Sequence, residues 1–476
     1  MRLYTILVGL ALSLGCRAVD GGIPLPVGVV APRRHHPTAE ERFFDWGRMD
    51  FAAEVHASRR ERLAEGMKGG AGVFLIPSHP GRSHGGTFRQ NSDFMYFTGL
   101  ELPQSMLAVD ASGVSQLFVP ERDARFESAS RSNDFPGRKL GADPELASRS
   151  GLLLRPYGEL VHALHAWVGA GAVFYLDLGG ALGGVVPADY PVRDYVRESS
   201  QTAELCALLR ARHPGVNVRN GFLHVAKLRM RKDKGELERL AQAAAITAAG
   251  IRTSARFIRP GVDERTLEAE MEAEFKRRGS QRLAFASIIK SGPNSLWPWR
   301  ILAAHYDRRN RTMRAGELVI YDVGCELDGY VSDVGRTFPV SGRFSAEQRA
   351  TLEMMTGVAD TIMAAVRPGT TLLEIQEIAE RAIPELERPY MQTGLYFGHH
   401  IGLDVGDPSL ADEPLVPGMV FTIEPWYYDH VREIAVFVED IVVVTESGCR
   451  NLTAGLPRTA EELEAMTGRD ERAGAP

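Results

Sequence analysis

The chain has 476 residues, of which 44% are hydrophobic and 24% are charged. This length and composition are typical of a soluble globular protein with two or three cores, and we expect two domains. The net charge is -6 and no block of lysine or arginine is long, which argues against a nucleic-acid partner. The four cysteines are widely spaced and form no C-x-x-C pair, so the sequence indicates neither a cysteine zinc site nor a disulfide framework.

The N-terminal segment MRLYTILVGLALSLGC combines one arginine with an apolar run too short to span a bilayer. We interpret residues 1–16 as an export signal and expect a protein of the bacterial periplasm or cell envelope. The end of this segment, Ser13 to Cys16, resembles the cleavage box of bacterial lipoproteins, so a lipid on Cys16 is a candidate membrane anchor. Residues 17–49 are rich in proline and glycine without hydrophobic periodicity and are predicted to be an extended tether.

Residues 50–225 alternate short β-type runs with helical stretches, which predicts an α/β domain. The β-type runs are GVFLIP, SMLAVD, QLFVP and AVFYLDL, and ERDARFESASRS is a predicted helix. The glycine-rich LDLGGALGGVV, residues 176–186, lacks the G-x-G-x-x-G spacing. A plain loop is therefore favoured there over a nucleotide site.

Residues 226–466 form a second predicted domain. A long amphipathic helix over 234–258 is stopped by Arg259-Pro260-Gly261, and Asp263 is the predicted N-cap of a second helix that Gly279 closes. Strands dominate over 285–339, helices return over 345–387, and strands follow to 445. This order, helices then strands twice over, predicts a duplicated α+β domain, and 467–476 is a polar tail.

Two aspartates flank a predicted hairpin in LVIYDVGCELDGYVSDVGRTFPV, residues 318–340. Asp328-Gly329 is a strong hairpin signal. If the turn is centred on this pair, Asp322 faces Gly335 and Asp333 is its diagonal neighbour. If the turn is centred one residue earlier, the two aspartates face each other. Either register places both carboxylates on one face, where something positive should lie between them.

Two glutamates also lie in apolar, strand-type segments. Glu424 follows GMVFTI, and Glu439 lies within EIAVFVEDIVVV. A solvated glutamate at a sheet edge would explain either one alone, but an isolated buried carboxylate is costly unless it finds a cation. The four acids and a histidine from YFGHHIGLDVGD, residues 396–407, make an oxygen-rich set with enough ligand atoms for two divalent ions. The positive charges of two such ions would cancel the four negative charges of the carboxylates. Adjacent residues of a strand point to opposite faces, so His399 and His400 are not expected to serve one site together.

These segments resemble the pita-bread metallopeptidases, in the branch of aminopeptidase P and prolidase, which cleaves before proline. In that family the metal ligands follow the order Asp, Asp eleven residues on, His, Glu, Glu. Asp322 and Asp333 have that spacing, and a glycine three residues after the histidine selects His399 over His400. Glu424 and Glu439 match the T-x-E-P and E-D contexts of the two glutamates. FRQNSDFMYFTG, residues 88–99, and RNLTAGLPRTAEELEAM, residues 450–466, also resemble family segments.

The resemblance implies a pita-bread catalytic domain preceded by an α/β domain of creatinase type. It implies an exopeptidase that uses a hydroxide held by two divalent ions to release the N-terminal residue from peptides with proline second. Manganese is the expected metal, with cobalt, zinc and iron also compatible with these ligands. Glu424 is implied to be both a ligand and the proton acceptor, and His305 to contact the substrate near the scissile bond. Peptide substrates and a homo-oligomer are the implied partners.

Two positions depart from the family pattern. A second family histidine, seven residues after the ligand, stabilises developing negative charge, and here that position is Gly406. An arginine two residues before the final glutamate is typical of members that act before proline, and here that position is Phe437.

Three hypotheses therefore stay open. The first is an active Xaa-Pro aminopeptidase or dipeptidase in which another group, such as His430 or a water, replaces the missing donor. The second is a metallohydrolase of the same fold with changed specificity, since Phe437 would make its wall of the site apolar. The third is a catalytically weakened metal-binding protein. A metal-free, creatinase-like enzyme is disfavoured because all five ligand positions are present.

Overall fold

The structure is a computed structural model that describes residues 51–81, 88–120, 144–179, 200–296, 310–391 and 398–468. The predicted export signal, the tether, Cys16, the predicted helix at 121–132 and His305 lie outside the described residues, as do most of the glycine-rich 176–186 segment and most of the polar tail. Those interpretations stay predictions. Among the described helices, none combines the length and the apolar character needed to cross a membrane.

The described elements alternate between helices and strands in the predicted order. The helices are α1 Ala53–Glu65, α2 Ser92–Thr98, α3 Pro144–Ser150, α4 Glu159–Gly169, α5 Gln201–Arg212, α6 Phe222–Met230, α7 Lys234–Ala255, α8 Glu264–Arg277, α9 Ala346–Ala365, α10 Leu372–Ala382 and α11 Ala460–Met466. The first strands are β1 Gly72–Pro77, β2 Met106–Asp110, β3 Ser115–Val119, β4 Leu153–Pro156, β5 Val173–Leu176, β6 Asn217–Asn220, β7 Arg282–Leu283 and β8 Ile288–Ser291. The remaining strands are β9 Leu318–Val323, β10 Cys325–Leu327, β11 Tyr330–Val331, β12 Val334–Pro339, β13 Val420–Ile423, β14 Trp426–Asp429, β15 Ile434–Phe437, β16 Asp440–Val444 and β17 Cys449–Asn451.

A six-stranded mixed sheet occupies the N-terminal part of the chain, with the order β4-β3-β2-β1-β5-β6. The central strand β1 is GVFLIP, and all six of its residues are buried. It pairs with β2 antiparallel and with β5 parallel, and helices pack on the sheet, as a continuous apolar strand requires. The four predicted β-type runs are β1, β2, β3 and β5, so the α/β prediction is confirmed.

Helices α7 and α8 begin at the predicted residues, Lys234 and Glu264; the N-cap of α8 was predicted, whereas that of α7 was not. The Asp233 side chain accepts a hydrogen bond from Glu236 N, and the Glu236 carboxylate accepts one from Asp233 N, which completes a capping box. Asp263 caps α8, and Gly279 follows that helix with a φ of +95°. Helix α7 ends at Ala255, three residues earlier than predicted, because the chain tightens there into i to i−3 hydrogen bonds that satisfy the last carbonyls.

The C-terminal part of the chain carries several small antiparallel sheets, and the metal candidates lie on their strands or in the connections beside them. One sheet has the order β12-β9-β8 and another has β13-β16-β17, while β14 and β15 form a two-stranded hairpin. Helices α7 and α8 precede the first of these sheets, and α9 and α10 precede the second. The predicted α+β order of this part is confirmed.

Candidate metal centre

Five side chains from separate segments converge at the ends of these sheets. Asp322 lies on β9, and the other four lie in or next to connections: Asp333 directly before β12, Glu424 directly after β13 and Glu439 directly before β16. His399 lies beside β13, where its carbonyl oxygen accepts a hydrogen bond from Thr422 N. All five were predicted site residues, and the structure brings them together. Their role as metal ligands stays a prediction.

The distances within the cluster are short enough for shared cations. Asp333, His399 and Glu439 each offer one ligand atom, and these three atoms lie within 4.8 Å of one another. His399 Nε2 is 3.5 Å from Asp333 Oδ2 and 3.4 Å from Glu424 Oε1. The Asp322 carboxyl group contacts that of Asp333. The five side chains therefore form one polar site.

The hairpin between the two aspartates adopts the first of the two predicted registers. Asp328 and Gly329 both have positive φ, 52° and 85°, as a two-residue hairpin turn with the twist of the strands requires. Asp322 consequently pairs with Gly335, and Asp333 is its diagonal neighbour. A Cβ at Gly335 would lie 2.2 Å from the Phe437 ring, so only glycine admits that ring beside Asp322.

His399 and His400 have separate environments. His399 Nδ1–H donates to the His400 carbonyl oxygen at 3.1 Å, which leaves Nε2 directed at Asp333 and Glu424 as the ligand atom. The preceding Gly398 has a φ of +150°, and a Cβ there would lie 1.9 Å from the Thr422 carbonyl oxygen, so glycine allows this close approach of two backbones. The His400 ring is fully buried and packs against Phe421 at 5.8 Å.

The buried oxygens of the cluster fit divalent cations. Asp333 Oδ1 and both carboxylate oxygens of Glu439 have no hydrogen-bond partner among the described residues, although Glu439 is completely buried. Burial and the neighbouring carboxylates hold the pKa of Asp322 and of Glu439 well above the usual range. Burial lowers the pKa of His399, but the carboxylates of Glu424 and Asp333 outweigh it and raise that pKa to about 9. The carboxylates of this site repel one another, and three of their buried oxygens have no hydrogen-bond donor among the described residues. Such a site is suited to hard divalent metal ions.

One side of the cluster opens to solvent. Asp322 and Asp333 are each 4% exposed, whereas the side chains of Glu424 and His399 are 17% and 29% exposed. A substrate would therefore approach from the side of Glu424 and His399.

The structure places the two departures from the family pattern differently. Gly406 borders open space, since a Cβ there would meet no heavy atom within 4 Å. Phe437 is fully buried and stacks on Trp426, with ring centroids 3.6 Å apart. The expected apolar wall is thus a buried layer behind Gly335 and Glu439. His430 is exposed in the turn after β14. It is four residues beyond Trp426, which corresponds to about 13 Å along an extended strand. The length of β14 therefore separates His430 from Glu424.

Two residues that contact the predicted ligands were missed from the sequence. The Trp426 indole N–H donates to Glu424 Oε2 at 3.4 Å, and the Arg336 guanidinium donates to the Glu439 carbonyl oxygen at 2.6 Å. Trp426 lies two residues after Glu424, and residues two apart in an extended chain share a face, so that spacing was the available signal. The partner of Arg336 is 103 residues away in the sequence, and no local pattern indicates it.

Comparisons with known proteins agree with this geometry. The model of metallopeptidase family M24 matches residues 238–446, and that of the aminopeptidase P N-terminal domain matches residues 56–128. The chain is 30% identical to the Xaa-Pro aminopeptidase of Escherichia coli (strain K12) over 449 residues, which cover 86% of this chain and 96% of that protein.

Solved structures give the same result. Proline aminopeptidase P II from Yersinia pestis has a TM-score of 0.71 and 27% identity, with 88% of this chain and 100% of that chain covered. Aminopeptidase P from E. coli with the inhibitor Pro-Leu has a TM-score of 0.69 and 29% identity, with 87% and 98% covered. The family match, the overall fold and the convergence of the five side chains lead to one assignment: the chain belongs to metallopeptidase family M24, in its aminopeptidase P branch.

Proposed function

We propose that this metallopeptidase is an Xaa-Pro aminopeptidase, which releases the N-terminal residue from peptides with proline at the second position. The observation that carries the proposal is the convergence of four carboxylates and one histidine in a site with unused buried oxygens. The related Xaa-Pro aminopeptidase and aminopeptidase P of E. coli support the choice of substrate.

The residues proposed to hold two divalent ions, with manganese preferred, are Asp322, Asp333, His399, Glu424 and Glu439. A pair of bound divalent ions supplies two things in such a site: it makes water acidic enough to act as a nucleophile near neutral pH, and it polarises the scissile carbonyl. The Nδ1–H of His399 donates a hydrogen bond to the His400 carbonyl oxygen. This bond fixes the proton on Nδ1, so Nε2 carries a lone pair that can bind a metal ion.

Glu424 is the proposed proton carrier. Its carboxylate lies on the more exposed side of the cluster, where the Thr422 hydroxyl donates to Oε1 at 3.3 Å and the Trp426 indole to Oε2 at 3.4 Å. A carboxylate in this position takes a proton from the attacking water and delivers it to the departing amide nitrogen. His305, which lies outside the described residues, is proposed to contact the substrate near the scissile bond.

A catalytically weakened metal-binding protein is the second candidate, and Gly406 is the observation that favours it. A histidine at this position would donate to developing negative charge, and losing one such donor typically costs about 2.7 to 4 kcal/mol of transition-state stabilisation. Gly406 offers no side chain, and the space beside it is open.

The proposed setting is the bacterial cell envelope, with export through residues 1–16, lipid attachment at Cys16 and assembly as a homo-oligomer. The apolar run that ends in the Ser13 to Cys16 box supports the first two proposals.

The test compares three peptides with the purified, manganese-loaded protein: an Xaa-Pro-Yaa tripeptide, the matching Xaa-Ala-Yaa tripeptide and an Xaa-Pro dipeptide. We expect release of the first residue from Xaa-Pro-Yaa, loss of this activity in Asp333→Ala, and no loss in Asp412→Ala, which removes an exposed carboxylate. Cleavage of the dipeptide alone would assign a prolidase. No turnover above Asp333→Ala, with two metal ions bound per wild-type chain, would refute the peptidase and favour the metal-binding protein.

A further inference from the structure

Trp426 lies outside the predicted ligand set but directly behind it. Its side chain is 5% exposed, and its ring stacks on Phe437 with a centroid distance of 3.6 Å and an interplanar angle of 23°. The indole Nε1 lies 3.4 Å from Glu424 Oε2. One face of the indole therefore contacts Phe437, while its polar edge contacts the proposed proton carrier.

The two oxygens of Glu424 have different donors. Oε1 accepts from the Thr422 hydroxyl at 3.3 Å and lies 3.4 Å from His399 Nε2. Oε2 accepts from the Trp426 indole. Rotation of the carboxylate away from His399 would break both donor contacts, so the tryptophan and the threonine together limit its orientation.

The indole is held in place by the hairpin that carries it. Trp426 and Phe437 are directly opposite each other on β14 and β15. The ring of Tyr428, two residues along β14, also stacks on Trp426, with a centroid distance of 5.8 Å. The Thr337 hydroxyl bonds both the backbone N–H and the carbonyl oxygen of Phe437, which fixes Phe437 against β12. The pair also belongs to a small apolar cluster with Leu296, Ile320 and Ala435. A ring packed in this way loses little further freedom when its N–H bonds a carboxylate.

We propose that Trp426 is a positioning residue for Glu424 and that Phe437 acts through it. The indole N–H holds the Glu424 carboxylate in the orientation that serves the metal centre, and the stack with Phe437 holds the indole. Phe437 occupies the position where the family resemblance implies an arginine. In this chain its role is to hold the Trp426 indole through the stack of the two rings. The inference rests on the proposed function for its kinetic test, but its binding test is independent of that function.

The kinetic test uses the full-length, manganese-loaded protein and an Xaa-Pro-Yaa tripeptide. Trp426→Phe keeps an aromatic ring against Phe437 and removes only the N–H, whereas Phe437→Leu keeps the N–H and removes the stack. The matched control is Trp167→Phe, which changes a tryptophan of the N-terminal part that packs near Phe118 and Phe174. We expect Trp426→Phe to lower kcat about tenfold with KM changed less than about twofold, since a hydrogen bond to a charged group is lost. The control should match the wild type in kcat and KM, and circular dichroism should show every variant folded at the assay temperature.

The coupling of the two aromatic residues is tested by the double variant. If Phe437 acts through Trp426, the double variant should have the same kcat as Trp426→Phe alone. Multiplication of the two separate losses in the double variant would overturn that coupling.

The binding test measures the affinity for Co²⁺ by calorimetry and the visible absorption of the Co²⁺-loaded protein, neither of which needs turnover. We expect about tenfold weaker binding and an altered spectrum in Trp426→Phe, with no change in Trp167→Phe. If the wild type cleaves no Xaa-Pro peptide, the proposed function fails, and this second test still decides the role of Trp426. Wild-type affinity, spectrum and kcat in Trp426→Phe would overturn the inference.

Discussion

His399 and His400 are adjacent in the sequence, but their side chains lie in different environments. His399 turns its Nε2 toward two carboxylates because its Nδ1–H bonds the His400 carbonyl. His400 lies in the core, where burial and the nearby Lys232 lower its pKa to about 3 and keep it neutral. The alternation of an extended chain predicted this separation, although the hydrogen bond that selects the ligand nitrogen is visible only in the structure.

Gly406 is the residue at which activity should be most easily increased. We expect Gly406→His to raise kcat on an Xaa-Pro-Yaa tripeptide about tenfold or more, since one donor at an oxyanion site contributes 10²- to 10³-fold. The open space around Gly406 admits a side chain. Steady-state kinetics of the manganese-loaded protein check this, with Gly406→Ala as the control for the backbone change. A histidine variant no faster than the alanine variant would show that the site already compensates for the missing donor.

Arg336 links three segments of the chain and is fully buried. All five of its N–H donors have acceptors. Its Nη1 bonds the carbonyl oxygens of Gly335 and Glu439 at 2.6 Å, and its Nη2 bonds Asp440 Oδ1 at 2.8 Å. The remaining donors bond the carbonyl oxygens of Leu456 and Pro457 in the C-terminal segment. The strands β12 and β16, which flank Asp333 and Glu439, are therefore held together through one guanidinium group.

Removing this guanidinium should destabilise the whole chain. We expect Arg336→Met to lower the free energy of unfolding by about 3 to 5 kcal/mol, because the buried Asp440 would lose its closest cation and four backbone carbonyl oxygens would lose a donor. Urea denaturation followed by circular dichroism measures the change. Arg381→Met removes an arginine from an exposed helical pair with Glu377 and should leave the denaturation midpoint unchanged. An equal effect of the two substitutions would rule out the described role of Arg336.

The strand elements show which features the sequence could predict. The Asp328-Gly329 pair predicted a hairpin but left two registers open, and the positive φ of both residues selects the one in which Asp322 faces Gly335. Local signals were sufficient for the N-cap at Asp263 and for the turn at Asp328-Gly329. They were insufficient for Arg336, because its acceptors are mostly backbone carbonyls from distant strands, which carry no residue-specific signal.

At the scale of the whole molecule, a buried charge network joins the N-terminal part to the segment that carries Gly406. Arg229 contacts Asp93 of α2, and also Asp404 and Asp407, while Lys232 Nζ lies 2.9 Å from Asp407 Oδ2. Asp407 N also donates to the His400 carbonyl oxygen at 2.9 Å. The segment that follows His399 is thereby anchored to both parts of the chain.

This network predicts a loss of stability in acid. Burial raises the pKa of Asp407, but Arg229 and Lys232 outweigh it and lower that pKa from 3.8 to about 2. A carboxyl group with a lower pKa in the folded state stabilises the protein fully above pH 4, and the effect disappears as the pH falls toward 2. The shift corresponds to about 2 kcal/mol.

The variant Asp407→Asn isolates this contribution. In the presence of a chelator, the free energy of unfolding of both proteins should fall between pH 5 and pH 2. The decrease should be smaller in Asp407→Asn than in the wild type, by up to about 2 kcal/mol. Urea denaturation at several pH values measures the difference, with Asp412→Asn as the exposed control. Parallel curves for the wild type and Asp407→Asn would contradict the assigned ion pairs.

The most direct test of the proposed centre is to titrate the metal-free protein with Mn²⁺ while following the cleavage of an Xaa-Pro-Yaa tripeptide. If the five converging side chains form one dinuclear centre, the chelated protein should be inactive, and activity should rise to a plateau at two equivalents of Mn²⁺ per chain. Glu439→Gln should bind less metal and stay inactive. Turnover that persists without metal, or that is unchanged in Glu439→Gln, would contradict a metal-dependent peptidase built on these residues.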